Sequence, residues 1–570
     1  MLKRITVVVF FLAISIPHLY AQSASGNQIA KLVEQYDADT GIMYRANVLE
    51  EGPEYFNRME QFYNNWLSRL DEVNYAGLNT QEAVDFILLR RDIRNDLEEI
   101  RQDRDSYHKI DYTLQFADTI FELQKKRRIG QDLEGKEFAD QINALVQSIR
   151  DNRQAVKEKG RLEPADSRRA VEVAENLHET LEHIYSFYEG YDPDVSWWGE
   201  KSYENADTTL ANYISFLGEW RVDQSHRDDG SGIIGTPVGA EKLQELLDYE
   251  MIPYTPSELI QLAEKEYAWC MEEMLKASRE LGYGDDWHAA LEHVKNSYVP
   301  AGKQPEMIYD LAIESINFLE ERDLITIPEL AKETWDMEMM SPQRQLINPF
   351  FLGGRVIRIS YPTNTMAHSD KMMSMRGNNP HFSKATVHHE LIPGHHLQGF
   401  MTDRYNTHRD EFGTPFWGEG WALYWELQLY DMDFPDSPED RIGMLFWRMH
   451  RCARIIFSLS YHLGEMSPQE AIDFLVENVG HEYANAEAEV RRSFASSYPP
   501  LYQAAYLLGG LQIRSLYNEL VENGDMQVKE FHDQILKTGS MPIEMVKKIL
   551  TDEKPPKDFE TNWRFYEDLE

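Results

Sequence analysis

Cysteine is almost missing from this chain: Cys270 and Cys452 are the only two in 570 residues. Two thiols exclude a disulfide framework and a cysteine-rich zinc site, and allow at most one bridge between them. Any metal must therefore be held by imidazole and carboxylate. Positive charge is scarce as well, with 57 Lys and Arg against 97 Asp and Glu, a formal net charge of −40. A phosphate backbone or an anionic leaflet would be repelled over most of such a surface, which excludes nucleic-acid binding. Long apolar runs are absent beyond the N-terminus, so no later segment reaches the roughly 18 residues a membrane-spanning helix needs. Repeats with a period of 20–50 residues and low-complexity tracts are also absent. What is present is a 42% hydrophobic content, enough for one large core or two adjoining ones.

The first residues read as a processing signal. Met1-Leu2-Lys3-Arg4 is a basic leader, Ile5 to Ile16 an apolar core, and Leu19-Tyr20-Ala21 a small-residue cleavage site before Gln22. Residues 1–21 are thus expected to be a signal peptide, with an uncleaved N-terminal anchor as the alternative. No cysteine lies near the cleavage site to carry a lipid. The expected product is an exported protein, periplasmic in a cell with two membranes, that meets no membrane after cleavage.

Helical periodicity dominates the rest. Tyr55, Met59, Phe62, Trp66 and Leu70 recur at three- and four-residue spacing and form one apolar stripe, opposite Asn57, Arg58, Asn64 and Asn65. Thr255-Pro256-Ser257-Glu258 and Ser467-Pro468-Gln469-Glu470 each set a hydroxyl at N-cap, Pro at N1 and Glu at N3, which predicts two capping boxes. Amphipathic stretches are expected over 79–105, 133–158, 167–188, 258–281, 305–322, 385–401, 420–431, 438–463, 502–522 and 541–550. Gly, Pro and Asp concentrate in 190–199 and 223–239, which predicts surface loops or a lobe boundary there; 22–570 is expected to be a single helical domain, and a boundary would divide it into lobes of about 22–230 and 231–570. Arg355 to Tyr361 alternates like a half-buried strand, so a short sheet is expected just before the central motif. The predicted fold class is mainly α with that small β element.

The motif is Val387-His388-His389-Glu390-Leu391-Ile392-Pro393-Gly394-His395-His396-Leu397-Gln398. His followed at once by Glu, with more His nearby, is the pattern of zinc hydrolases, in which imidazoles bind the ion and the Glu takes a proton from water. The ordinary H-E-x-x-H spacing is missing. Six steps from His389 to His395 mean about 9 Å of rise on a straight helix, whereas two nitrogens on one ion stand only about 3.3 Å apart. Pro393 has no N–H for the carbonyl of His389 and disfavours helix at Ile392, so a bulge at Pro393-Gly394 is expected to bring His395 back. His396 is the alternative second ligand. Glu419, in Gly418-Glu419-Gly420-Trp421, is the expected third ligand, and Glu426 on the same face is either its competitor or a carboxylate supporting a ligand.

Together, His389 to Gln398 and Glu419 to Tyr424 resemble the large bacterial domain-of-unknown-function family numbered 885, whose hallmark is His-Glu-x-x-Pro-Gly-His-His-x-Gln followed by Glu-Gly-Trp-Ala-Leu-Tyr. That family is in turn similar to gluzincin metallopeptidases. The resemblance implies a two-lobed helical zincin-like fold with a deep central cleft, zinc on His389, His395 and Glu419, and Glu390 as general base. It further aligns Arg451, Arg454 and His462 with an Arg-rich helix ending in His, and Glu489 to Arg492, Tyr506 and Gly509 with a last motif block. Two departures stand out: Ser458 replaces an expected Asp, which removes a charge partner for Arg454 or His462, and Ser460 replaces a Gly.

His462 and Tyr506 are the candidate oxyanion donors, and Arg454, Arg491 or Arg492 the candidate holders of a peptide carboxylate. The expected activity is zinc-dependent hydrolysis of short peptides. A zinc amidase acting on cell-wall or other small amides, and a non-catalytic exported metal- or peptide-binding protein, are the alternatives. The last would have no use for Glu390.

Overall fold

The computed structural model describes residues 27–46, 49–223, 228–345, 350–495 and 498–566; the expected signal peptide lies outside them. Helices dominate. The apolar stripe read from the sequence is buried along Pro53–Asp71, and both capping boxes form, at Thr255 with Glu258 and at Ser467 with Glu470. No helix among the described residues is long and apolar enough to cross a membrane.

The segment 190–199, expected to be a loop, is instead the start of a long helix, Pro193–Glu219. Asp192 accepts from the backbone N–H groups of Asp194 and Val195, and Pro193 occupies the first helical position, where its missing N–H costs nothing. The Gly-Asp-Pro cluster thus marks a helix boundary. Residues 228–238, by contrast, contain no helix or strand.

The centre of the protein is the helix Pro438–Leu463, buried without interruption from Ile442 to His462. A helix buried all round must pair every charge it carries. Arg448 does so with Glu266 at 2.7 Å, and Arg454 with Glu489 at 2.7 Å. Around it pack Pro256–Glu280, Pro380–Glu390 and Tyr502–Tyr517. One apolar core runs from Ile29 to Phe565. A smaller cluster, including Ile357, Ile359, Val387 and Leu391, lies beneath the only sheet among the described residues. That sheet is two parallel strands, Asp336–Met339 and Val356–Ile359, with Met337 opposite Ile357. The second strand matches the alternation read from Arg355 to Tyr361; the first, Asp-Met-Glu-Met, also alternates but lay outside that reading.

Candidate functional site

The motif helix breaks where Pro393 and Gly394 demand. Pro380–Glu390 ends at Leu391, which leaves the helical region at φ −107° and ψ −101°. A new helix, His395–Thr402, begins after Gly394. The Gly394 N–H donates to the His388 carbonyl at 2.9 Å. Glycine is required here by space rather than by a left-handed φ: a Cβ would stand 1.8 Å from the His389 carbonyl oxygen and 2.6 Å from that of His388. Neighbouring groups hold the broken segment. Ser315 Oγ donates to the Ile392 carbonyl at 2.8 Å, and Trp421 Nε1 donates to the Pro393 carbonyl at 2.8 Å.

The break returns His395 to His389. Their rings meet edge to face at 4.8 Å, and ligand-type atoms of His389, Glu390 and His395 all lie within 4.8 Å of one another. Glu419 Oε2 stands 3.1 Å from His395 Nε2 and 3.5 Å from His389 Nε2. The helix bearing Glu419, Pro415–Asp431, starts five residues before the expected 420, so Glu419 sits in its second turn and not at its N-terminus. Two turns on, Glu426 reaches the other nitrogen of the same imidazole, with Oε1 2.7 Å from His389 Nδ1, and also meets Arg451 Nη2 at 3.4 Å. Glu426 therefore orients His389 from behind. His396 points elsewhere, with Nε2 2.7 Å from the Ala331 carbonyl. His388 is buried edge-on against Phe434 at 5.7 Å.

The electrostatics follow from this packing. Burial alone would lower His389, but contacts with Glu419 and Glu426 outweigh it and hold its imidazolium up at about 9. Burial likewise works against Glu419 as a carboxylate, yet His395 and His389 hold it well below the usual range. Glu390 is different: burial pushes its carboxyl up against the opposing pull of His389 and His395. The backbone of Gly353 lies directly on it, since a Cβ there would stand 1.8 Å from Glu390 Oε2.

These groups form part of the lining of a cavity of about 350 Å³. Its far wall comes from Pro438–Leu463, Tyr483–Phe494 and Tyr502–Tyr517. Gly420 and Gly509 let Pro415–Asp431 and Tyr502–Tyr517 approach closely, a Cβ on Gly420 falling 2.6 Å from Gly509 Cα. That contact sets two tyrosines against the site. Tyr502 Oη donates to Glu419 Oε1 at 2.6 Å, and the Tyr506 ring lies parallel to His389 at 6.1 Å. Arg451 and Arg454 stack on Tyr506 with Cζ 4.4 and 4.6 Å from its centroid.

Two expected site residues lie elsewhere. His462 is two turns beyond Arg454, outside the cavity lining, packed against Tyr461 at 5.2 Å, with burial lowering it to about 4. Arg491 is exposed and bound to Glu487 at 2.7 Å and the Gly232 carbonyl at 3.1 Å. On a helix its neighbour Arg492 points about 100° away, and it is Arg492 that lines the cavity. The charge partner that Ser458 cannot provide for Arg454 is Glu489, from a different helix. Sequence reasoning missed Tyr502 and the Phe350–Gly354 segment. The four-residue spacing of Tyr502 and Tyr506 would have signalled a shared face; nothing in the sequence marked Gly353.

Fold and site together define a mainly helical protein with a His/Glu cluster on one side of an arginine-lined cavity. The chain belongs to the family of bacterial proteins of unknown function DUF885, whose model matches residues 37–550. Two solved structures share the fold. One, a candidate lipoprotein of unknown function from Shewanella oneidensis, is 16% identical, with a TM-score of 0.65 over 92% of this chain and 99% of that one. The other, a candidate lipoprotein from Colwellia psychrerythraea, is 15% identical, with a TM-score of 0.55 over 92% of this chain and 98% of that one. No curated protein sequence matches the chain.

Proposed function

We propose that this protein is an exported zinc-dependent hydrolase of amide bonds in short peptides, with a gluzincin-like site. The observation that carries the reading is the donor geometry. Three atoms on one tetrahedral zinc ion at about 2.05 Å stand about 3.3 Å apart, and Glu419 Oε2 lies 3.1 and 3.5 Å from the two imidazole nitrogens. His389, His395 and Glu419 would hold the ion, and Glu426 would fix the orientation and raise the basicity of His389. Zinc, when bound there, supplies Lewis acidity and makes water a nucleophile near neutral pH.

The chain's own groups supply the rest. Glu390 takes a proton from the attacking water and passes it to the leaving nitrogen, a role suited to a carboxyl raised by burial. A C–O bond forms at the carbonyl carbon and the C–N bond breaks, giving a carboxylate and an amine. Tyr506, pushed up to about 12 mainly by burial and by Glu419, stays a phenol and can donate to the oxyanion. Export is supported by the basic-then-apolar leader and by the two structural relatives described as candidate lipoproteins.

The test is elemental analysis of the dialysed protein, followed by mass-spectrometric profiling on a peptide mixture. The expected result is one zinc per chain, lost in His389→Ala, and peptide cleavage abolished by chelation. Full zinc occupancy in His389→Ala, or no cleavage by the zinc-loaded chain, would refute the reading.

A further inference from the structure

In a chain of net charge −40, the wall of this cavity is rich in arginine. Five guanidiniums line it against the carboxylates of Glu390, Glu419 and Glu489, and the first two of these stand with the histidines. Arg454 is only 4% exposed; its Nε donates to Glu489 Oε1 at 2.7 Å, while its Nη1 is buried with no hydrogen-bond partner among the described residues. Arg451 Nε is buried and unpartnered in the same sense. Buried donors of a charged group normally find an acceptor, and both arginines line the cavity.

We infer that this wall binds the C-terminal carboxylate of the substrate, so that the protein removes residues from the carboxyl end of short peptides. This deepens the hydrolase reading and rests on it. The geometry fits a carboxylate. Arg451 and Arg454 both lie over the Tyr506 ring, and a guanidinium's planar fork suits a carboxylate better than a mobile ammonium does. Tyr506 also sets the reach. Its ring is 6.1 Å from that of His389 and 4.6 Å from Arg454 Cζ, so the two legs laid end to end put the guanidinium within about 11 Å of the His389 ring. An extended peptide covers about 3.3–3.6 Å per residue, so cleavage falls within about three residues of the chain end.

The experiment uses matched tetrapeptides with neutral side chains, as free acids and as C-terminal amides, plus a C-terminal amide carrying one Glu side chain. Cleavage is followed by mass spectrometry with the zinc-loaded wild type, and binding by calorimetry with zinc-loaded Glu390→Gln. Amidation is expected to weaken binding at least tenfold and kcat/KM by a similar factor, with cleavage products of three residues or fewer from the carboxyl end. Arg454→Lys, which keeps the charge beside Glu489 but loses the fork, should abolish most of the acid-over-amide preference while zinc content stays at one per chain. Equal binding of acid and amide by wild type and Glu390→Gln would overturn the inference and leave the hydrolase reading intact. Tight binding of the Glu-bearing amide would overturn it in favour of a side-chain carboxylate. Acid-selective binding without cleavage would uphold the carboxylate site and sink the hydrolase reading instead.

Discussion

Replacing Gly394 with alanine tests whether the helix break builds the site. The added Cβ would lie 1.8 Å from the His389 carbonyl oxygen, 2.4 Å from its carbon and 2.6 Å from the His388 carbonyl oxygen. All three are backbone atoms, so no rotamer change relieves the clash. Contact would be restored only by opening the segment by roughly 1.4 Å, taking about 3.2 Å as the closest comfortable approach. Overpacking of this kind costs about 1–3 kcal/mol. In a chain this long, with an unfolding entropy of about 2 cal/mol/K per residue, that lowers Tm by only a few degrees. The ion is less forgiving, because donor positions must hold to about 0.2 Å. A shift of 1 Å at His395 removes one ligand, so zinc affinity should fall at least 100-fold while the protein stays folded. Competition with a calibrated zinc chelator reads the affinity, and differential scanning fluorimetry reads the fold. Gly399→Ala, one turn into the next helix with nothing within 4 Å of the new Cβ, serves as the control and should bind zinc like wild type. If Gly394→Ala keeps wild-type zinc affinity, the break is not what makes the site.

Glu390→Gln should keep its zinc and lose about 10²–10⁴-fold in kcat, because the amide cannot take the water's proton; retained turnover with bound zinc would place the base elsewhere. Glu426→Gln should weaken zinc binding by about 10–100-fold, the usual cost of losing the group that orients a ligating imidazole, and an unchanged chelator titration would contradict the role given to Glu426. His532 is buried between the Tyr424 hydroxyl at 2.8 Å and the Leu324 carbonyl at 2.7 Å, and burial lowers it to about 4. Below about pH 6.5 the unfolded chain binds a proton there that the folded chain refuses, so this group takes away stability as pH falls from 6.5 to about 4, by up to about 1.4 kcal/mol per pH unit. His532→Gln, which can keep both partners, should flatten the denaturant-melt profile over that window, and an unaltered slope would refute the assignment.

Features that depend on local pattern were readable from the residues alone. The stripe from Tyr55 to Leu70, the two capping boxes and the extent of 438–463 were legible because apolar period and cap chemistry act within a few residues. The break at Pro393-Gly394 was legible for the same reason: a missing N–H and a six-residue spacing are local facts. The 190–199 segment misled because Gly, Asp and Pro mark helix starts as readily as loops. Which side chains share a cavity was settled by long-range packing. His395 and His396 are adjacent in sequence, and their roles separate only because one faces Glu419 and the other the Ala331 carbonyl. Arg491 and Arg492 divide in the same way, and His462 sits on the right helix but two turns too far along. Glu489 replaces the partner missing at Ser458 from another helix, and Tyr502 reaches Glu419 across the close Gly420 and Gly509 contact. Direction around a helix axis is set by what packs against it, and those neighbours lie tens or hundreds of residues away.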